Sequence, residues 1–430
     1  MSNLVTSRNQ ILPIAARSIA AAAALCCAGL ASAQTAPSVT LYGMVDVGIT
    51  SVSGLKGGTA TQLASGIMEG SRWGLKGNED LGGGYRTIFT LENRFEADTG
   101  ALGSRPISGL QLSDRYSQAT LLGLPATLQP VITGLAGQLA TASWGVNIGN
   151  NLFDRQAYVG LVTPFGGFLA GRQYTPAFET NATYDIMETQ SALSAGQVAA
   201  FPAVLEIRKS NALQYRFVKD GMSGSFMYAL GEVAGDAAKG RMLGLNANYK
   251  TGAFSVGFGY NTANNENGDK SLTTSVLGAS MNFGSDKLSG MLIKITDDNP
   301  SNMTGIGQAL SANPATAAYA ALIQGAYTTA FKQDGTLVHI GYRHVTGPHT
   351  MSVAYSSFND KTASNADVAS YGVAYTYALS KRTDLNGVLV RIDNKDRGQV
   401  APGGNGYVGG VTASAGTSST GIAFGLRHRF

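Results

Sequence analysis

Residues 39–49 read VTLYGMVDVGI, and their side chains alternate in character from one position to the next. The odd-numbered positions hold apolar residues and one glycine: Val39, Leu41, Gly43, Val45, Val47 and Ile49. The even-numbered positions hold a more mixed set: Thr40, Tyr42, Met44, Asp46 and Gly48. Because successive side chains of a β-strand point to opposite faces, this stretch predicts a strand with one apolar face. A run of about 10 residues is typical of a tilted strand that crosses a membrane.

The end of the chain repeats this alternation. One face carries Ile422, Phe424, Leu426, His428 and Phe430, and the other carries Ala423, Gly425, Arg427 and Arg429. Between the two ends, seven tight turns rich in Gly, Asp and Pro separate further alternating runs, as β-hairpins require. With the first and last strands, these hairpins predict sixteen strands, near 38–53, 70–79, 84–96, 152–163, 167–174, 206–219, 222–232, 241–251, 253–263, 271–284, 286–297, 335–346, 349–359, 366–379, 383–394 and 417–430.

Short turns alternate with long connections along the chain. The long connections fall at about 97–151, 175–205, 298–334 and 395–416. Outer-membrane barrels have this layout, with tight turns at one end and long loops at the other. The sequence therefore predicts an all-β protein, a 16-stranded antiparallel transmembrane β-barrel formed by residues 34–430.

The first 33 residues have the features of a secretory signal peptide. Arg8 and Arg17 make the leader positive, an apolar core of IAAAAALCCAGL follows at residues 19–30, and Ala-Ser-Ala at 31–33 provides a cleavage site. Processing as a lipoprotein at Cys26 is the alternative, although Ala-Leu before that cysteine fits such processing poorly. Cleavage after Ala33 removes both cysteines, so we expect a mature barrel without disulfides.

Composition excludes several other classes of protein. Charged residues make up 13% of the chain, glycine occurs 56 times in 430 residues, and the mean hydropathy is +0.02. After the leader there is no apolar run of 18 residues, which argues against membrane-spanning helices. The 31 basic residues nearly balance the 27 acidic ones, whereas nucleic-acid binders usually show a strong basic excess.

Several motifs resemble those of the general trimeric porins of β-proteobacteria. They are SVTLYGMVDVGI (38–49), SRWGLKGNEDLGGG (71–84), RQAYVGL (155–161), FGGFLAGRQYTP (165–176), LSKRTDL (379–385) and the ending GLRHRF. The resemblance implies a homotrimer in the outer membrane, surrounded by lipid and lipopolysaccharide, and a third loop, at 175–205, that folds into the barrel. Phe430 resembles the terminal signal that the outer-membrane assembly machinery reads. The long connection at 97–151 departs from the family pattern, and its role is left open.

The resemblance also implies a pore constriction with arginines on the barrel wall and carboxylates on the third loop. The matching positions are Arg72, Arg155 and Arg208 on the wall and Glu179, Asp185 and Glu188 on the loop. Alternation turns Arg72 and Arg208 inward, but Arg155 shares its parity with apolar residues, so that its direction is ambiguous. Because the basic groups outnumber the carboxylates that can be placed opposite them, we expect a weak preference for anions.

The expected function is passive diffusion of small hydrophilic solutes and ions through a water-filled channel. The main alternative is a barrel channel selective for a class of small anionic solutes, and an enzyme or adhesin built on a barrel is a more distant one. No catalytic, cofactor-binding or metal-ligating residue is predicted. Residues 404–409 (GNGYVG) match a dinucleotide fingerprint only by their letters, and His339 and His344 fall on opposite faces of one strand.

Overall fold

The structure is a computed structural model, and it describes residues 37–199, 206–405 and 409–430. The predicted signal peptide at 1–33 lies outside the described residues. Within them, the paired strands run antiparallel. The strands are β1 (Ser38–Leu55), β2 (Gly58–Ser65), β3 (Arg72–Gly82), β4 (Tyr85–Arg94), β5 (Gln156–Thr163), β6 (Gly166–Tyr174), β7 (Arg208–Lys219), β8 (Met222–Ala229), β9 (Met242–Thr251), β10 (Phe254–Asn264), β11 (Lys270–Phe283), β12 (Asp286–Asp297), β13 (Gln333–Thr346), β14 (His349–Asp360), β15 (Val368–Ala378), β16 (Thr383–Asn394) and β17 (Ser419–Arg429).

The sheet closes on itself because β17 returns to β1, with a register that runs from Met44 opposite Arg429 to Ser53 opposite Thr420. Strands β2 and β3 lie end to end along β1: β2 pairs with its second half and β3 with its first half. They occupy one position in the ring, so the seventeen strands form a barrel of sixteen positions. This confirms the predicted all-β, 16-stranded antiparallel barrel.

The two faces of the strands differ as the sequence predicts. On β1, Leu41 and Ile49 point outward and remain 60% and 58% exposed, whereas Asp46 between them is buried inside. On β13, Val338 and Ile340 are exposed and His339 is buried. Large exposed apolar side chains on all sides of a barrel indicate a surface that faces lipid. The backbone groups of the strands pair with one another all the way round, as a spanning barrel needs.

In the described part of the loops lie five α-helices. They are α1 (Asp114–Ser117), α2 (Gln129–Ser143), α3 (Pro176–Tyr184), α4 (Met303–Ser311) and α5 (Ala320–Ala330). Of the helices in the described ranges, none has the length and apolar character needed to cross a bilayer. Helix α3 belongs to the third loop, between β6 and β7, and the other four belong to the second loop, between β4 and β5, and the sixth loop, between β12 and β13.

The second and sixth loops form one helical layer, which we call the helical roof. Its apolar core combines Leu128, Ile132 and Leu135 of the second loop with Ile306 and Ile323 of the sixth. The second loop leaves the third position of the ring and the sixth loop leaves the eleventh, so that eight positions separate them in either direction. Because loops from opposite sides of the barrel share one apolar core, the roof must cross the mouth of the barrel.

A carboxylate from the connection between β10 and β11 fastens one end of the roof. Glu266, in the connection between β10 and β11, accepts hydrogen bonds from the Asn302 backbone N–H at 2.8 Å and from the Thr304 hydroxyl at 2.9 Å, at the start of α4. Partial burial raises the pKa of Glu266, but these hydrogen bonds outweigh burial and hold the pKa below its usual range. The carboxylate is therefore ionised at neutral pH, where it caps the helix.

Candidate functional site

The third loop folds into the barrel through a helix with a clear start signal. Thr175 accepts a hydrogen bond from the Phe178 backbone N–H, and Pro176 occupies the first helical position. A threonine cap followed by proline favours a helix at this point. Helix α3 then lies against the inner face of β9, β10 and β11. The inward-folded third loop is thus confirmed in the part of the loop that the structure describes.

Glycines in the wall leave room for this loop. A Cβ atom on Gly278 would lie 2.3 Å from the Tyr184 ring, and one on Gly341 would lie 2.1 Å from the Ile186 side chain. The other wall glycines whose Cβ atoms would meet α3 or its end are Gly244, Gly257 and Gly259. Part of the high glycine content is therefore explained by the surface on which the third loop packs, and not by the hairpin turns of the barrel.

The end of α3 is fastened to the wall through one residue. The backbone N–H of Ile186 donates to Nε2 of His339 at 3.1 Å, and the Arg343 guanidinium donates to the Ile186 carbonyl. His339 in turn contacts the Ser356 hydroxyl at 2.9 Å through Nδ1. Arg343 also pairs with Glu188 at 2.7 Å. Both backbone groups of Ile186 are satisfied by side chains of β13, which fixes the loop across the lumen.

The three predicted loop carboxylates take different positions. Glu179 on α3 pairs with Arg216 of β7, and Glu188 pairs with Arg343 of β13. The side chain of Asp185 is 0% exposed. Its carboxylate accepts hydrogen bonds from three backbone N–H groups of its own loop, those of Met187, Thr189 and Ala195. Asp185 therefore organises the turn after α3, and its carboxylate has no contact with the solvent of the lumen.

The predicted basic residues of the wall lie near one another. Arg155 precedes β5 and turns inward, where its Nε donates to Glu92 at 2.7 Å and its Nη2 to the Tyr174 hydroxyl at 3.0 Å. Arg208 donates to the same hydroxyl at 3.3 Å and lies 4.8 Å above the Tyr174 ring. Alternation along the strand does not determine the direction of Arg155, because β5 begins only at Gln156. The chain bends before the strand, and the Arg155 side chain therefore turns inward.

Arg72 also points into the lumen, at the start of β3. Its guanidinium pairs with Glu69 at 2.6 Å. Lys76, further along the same face of β3, lies 4.2 Å from the centre of the Tyr42 ring. The Tyr42 hydroxyl donates to Glu92 at 3.0 Å. The structure thus brings Arg72, Arg155 and Arg208 to one sector of the wall, between β3 and β7.

Sequence reasoning missed most of the partners of these arginines. The residues not predicted are Glu69, Lys76, Glu92, Tyr174 and Arg343, whereas alternation turns Arg216 inward on the same face as Arg208. Parity alone identifies Lys76, because it shares a face with Arg72, and Glu92 stands out as the one charged residue of the run IFTLEN at 88–93. Glu69 gave no such signal, because it lies in a break between two strands.

Phe430 lies at the seam of the barrel. Its backbone N–H donates to the Gly43 carbonyl at 3.0 Å and its carbonyl accepts from the Gly43 N–H at 3.2 Å. A Cβ atom on Gly43 would lie 2.5 Å from the Phe430 ring, so the ring packs over the bare glycine. The terminal residue therefore completes the pairing of β17 with β1 and remains 45% exposed.

Comparison with known proteins gives the family. The sequence profile of the Gram-negative porins matches residues 19–397. The chain is 27% identical to outer membrane porin protein 32 of Delftia acidovorans, over 96% of this chain and 99% of that protein. It is 24% identical to an outer membrane porin protein of Bordetella pertussis, over 95% and 98%. The anion-selective porin from Comamonas acidovorans superposes with a TM-score of 0.67 at 24% identity, covering 92% of this chain and 100% of that one. The chain belongs to the Gram-negative porin family and forms a β-barrel channel of the outer membrane.

Proposed function

We propose that the protein conducts small hydrophilic solutes and ions by passive diffusion, with a weak preference for anions. One observation carries the preference: Glu92 is the carboxylate around which Arg72, Lys76, Arg155 and Arg208 gather. Along the third loop, the carboxylates Glu179 and Glu188 each pair with a wall arginine, so that these charges cancel. The uncancelled positive charge lies between β3 and β7, and a narrow low-dielectric lumen strengthens its field on passing ions.

The test is the reversal potential of purified protein in a planar bilayer under a KCl gradient. We expect conductance with a chloride-to-potassium permeability ratio above one, and a lower ratio in Arg208→Gln and Arg72→Gln. One charge at ~4 Å in a water-like dielectric is worth about 1 kcal/mol, or about a fivefold change in ion ratio, which sets the scale of each effect. Arg382→Gln is the control, because Arg382 is exposed in the turn between β15 and β16.

Three other outcomes would change the proposal. If the chloride-to-potassium permeability ratio is the same as in wild type in both lumen variants, these arginines do not determine the ion preference. Absence of conductance would remove the channel function. Uptake that saturates with one class of small anions would favour the selective channel over general diffusion.

For the assembly we propose a homotrimer embedded in lipid and lipopolysaccharide, inserted by the outer-membrane assembly machinery through its terminal Phe430. One solved structure similar to this chain is described as the trimer form of OmpT of Vibrio cholerae, with a TM-score of 0.57 at 14% identity. The mass of the protein in detergent, measured by light scattering, tests this state. A monomer mass at working concentration would contradict it.

A further inference from the structure

The second position of the barrel ring is interrupted between β2 and β3. At residues 66–71 (GIMEGS) the chain leaves the ladder, although β1 continues unbroken beside it. We call this segment the inner shelf. It begins with Gly66 at φ 80°, a conformation that glycine adopts readily and other residues rarely. The shelf is a feature of the chain separate from the third loop, and it too lies inside the barrel.

Asp46 of β1 holds the inner shelf in place. Its carboxylate accepts the backbone N–H groups of Ile67 at 3.1 Å, Met68 at 2.9 Å and Glu69 at 2.8 Å. Its own backbone N–H donates to the Ser71 hydroxyl, and that hydroxyl donates to the Asp46 carbonyl, both at 3.0 Å. The carboxylate of one buried aspartate therefore satisfies three consecutive backbone N–H groups that a break in the ladder would leave unpaired.

The shelf is also packed against the wall and the third loop. Ile67 and Met68 are buried, and a Cβ atom on Gly425 would lie 3.0 Å from Ile67, so the bare glycine gives it room. The carbonyl of Met68 accepts from the Ser191 N–H of the third loop at 2.9 Å. Because both sides of the shelf are fixed, the side chain of Glu69 is held in one position.

Glu69 joins three arginines that project inward from two strands. Its Oε1 contacts Arg72 of β3 at 2.6 Å, and its Oε2 contacts Arg427 at 2.8 Å and Arg429 at 3.6 Å, both on β17. Asp384 of β16 pairs with the same two β17 arginines, at 3.0 and 2.7 Å. Three guanidinium groups thus share two carboxylates, and Glu69 is the only one of the two that reaches Arg72.

We propose that Glu69 is a selectivity-determining carboxylate of the pore and that Asp46 is the positioning residue that keeps it among the three arginines. The inference rests on the proposed channel function and deepens it. The negative charge of Glu69 offsets part of the positive charge of Arg72, so that a passing anion is attracted less strongly. This keeps the preference for anions weak. The Glu69 side chain remains 15% exposed, so its charge is open to the solvent of the lumen and acts on the ions that pass there.

The first test is Glu69→Gln, measured as a reversal potential under a KCl gradient. We expect the chloride-to-potassium permeability ratio to rise by about twofold or more, because one negative charge leaves the lumen. Glu232→Gln, which removes an exposed carboxylate from the connection after β8, should leave the ratio unchanged. Equal ratios for Glu69→Gln and wild type, in protein that keeps its folded mobility on unheated gels, would overturn the proposal.

The positioning role of Asp46 is tested by a double-mutant cycle. If Asp46 acts through Glu69, Asp46→Asn should raise the ratio in the wild-type background and have little further effect beside Glu69→Gln. If the two effects are additive, the charge of Asp46 acts on the ions directly and the positioning role is refuted.

A charge-rescue experiment separates charge from folding. Glu69→Cys is modified after folding with an anionic or a cationic methanethiosulfonate reagent, so both states come from one preparation. The anionic adduct should lower the ratio toward wild type and the cationic adduct should raise it, and identical ratios would overturn the proposal. Wild type treated in the same way is the control for Cys26 and Cys27. Wild type without chloride preference would instead refute the proposed function, while the direction of these shifts would still test Glu69.

Discussion

At the scale of single residues, the absence of a side chain decides where the third loop lies. Gly278 of β11 faces the lumen, and a Cβ atom there would overlap the Tyr184 ring at 2.3 Å. We expect Gly278→Val to push α3 off the wall and into the lumen. The conductance of the open channel should fall, and overpacking should destabilise the protein by about 1–3 kcal/mol. Single-channel recording and urea unfolding in detergent measure the two effects.

The control for that substitution is Gly290→Val on the neighbouring strand. Gly290 faces outward, and the nearest atom to its Cβ position is the His339 carbonyl oxygen at 3.2 Å. This variant should keep the wild-type conductance. A reduction as large as that of Gly278→Val would show that the loss comes from the strands and not from the seat of the third loop.

Sequence alone predicted the direction of a side chain wherever the strand was regular. Alternation turned Arg72 and Arg208 inward, as the structure has them. It gave no answer for Arg155, because the residue lies at a bend, where the period of two does not hold. The burial of Asp185 also could not be predicted, since it depends on which backbone groups of the third loop turn back toward its carboxylate.

At the scale of elements, Arg343 of β13 ties the third loop to the wall just after α3, through Glu188 and the Ile186 carbonyl. Arg343→Met keeps the length of the side chain but removes its hydrogen bonds to Ile186 and Glu188. A hydrogen bond to a charged group contributes about 1.5–3 kcal/mol, so the loop should move between positions that wild type does not populate. We expect noisier open-channel current with new conductance levels, and an unfolding midpoint close to wild type because the ladder is intact.

Arg391→Met is the matched control for the loop. Arg391 lies on the outer face of β16, where it pairs with Asp393 at 2.9 Å and points away from the lumen and the third loop. Its current should be as quiet as that of wild type. Quiet current in Arg343→Met as well would mean that His339 and the glycine seat hold the loop without the arginine.

The strands were predicted well, with one exception. Strand β2 was missed, and the prediction placed the second strand at 70–79, where β3 lies. The reason is physical: β2 reads GTATQLAS, and its outward positions Thr59 and Thr61 are not apolar, so the alternation is weak. The break that follows is maintained by the carboxylate of Asp46 from another strand, and a local pattern carries no signal of such a contact.

At the scale of the whole molecule, we expect the helical roof to select solutes by size and not by charge. Residues 116–153 and 299–331 contain no Asp, Glu, Lys or Arg, so the roof adds no field of its own to the lumen. Ties at its edge, such as Lys56 to Asp114 at 3.1 Å and Arg115 to Asp360 at 3.3 Å, hold it over the opening. A neutral layer across the mouth should obstruct large solutes and leave the choice between anions and cations to the lumen.

This argument predicts the effect of removing the roof. Replacing residues 119–143 and 303–330 together with short Gly-Ser linkers deletes both halves of its apolar core, so neither half is left exposed to water. Liposome swelling should become faster for trisaccharides than in wild type and change little for pentoses, while the chloride-to-potassium permeability ratio stays the same. Deleting 303–330 alone should instead expose Leu128, Ile132 and Leu135 and cause aggregation. Unchanged trisaccharide entry in the double deletion would show that solutes pass beside the roof, and a changed ion ratio would show that the roof also shapes the field.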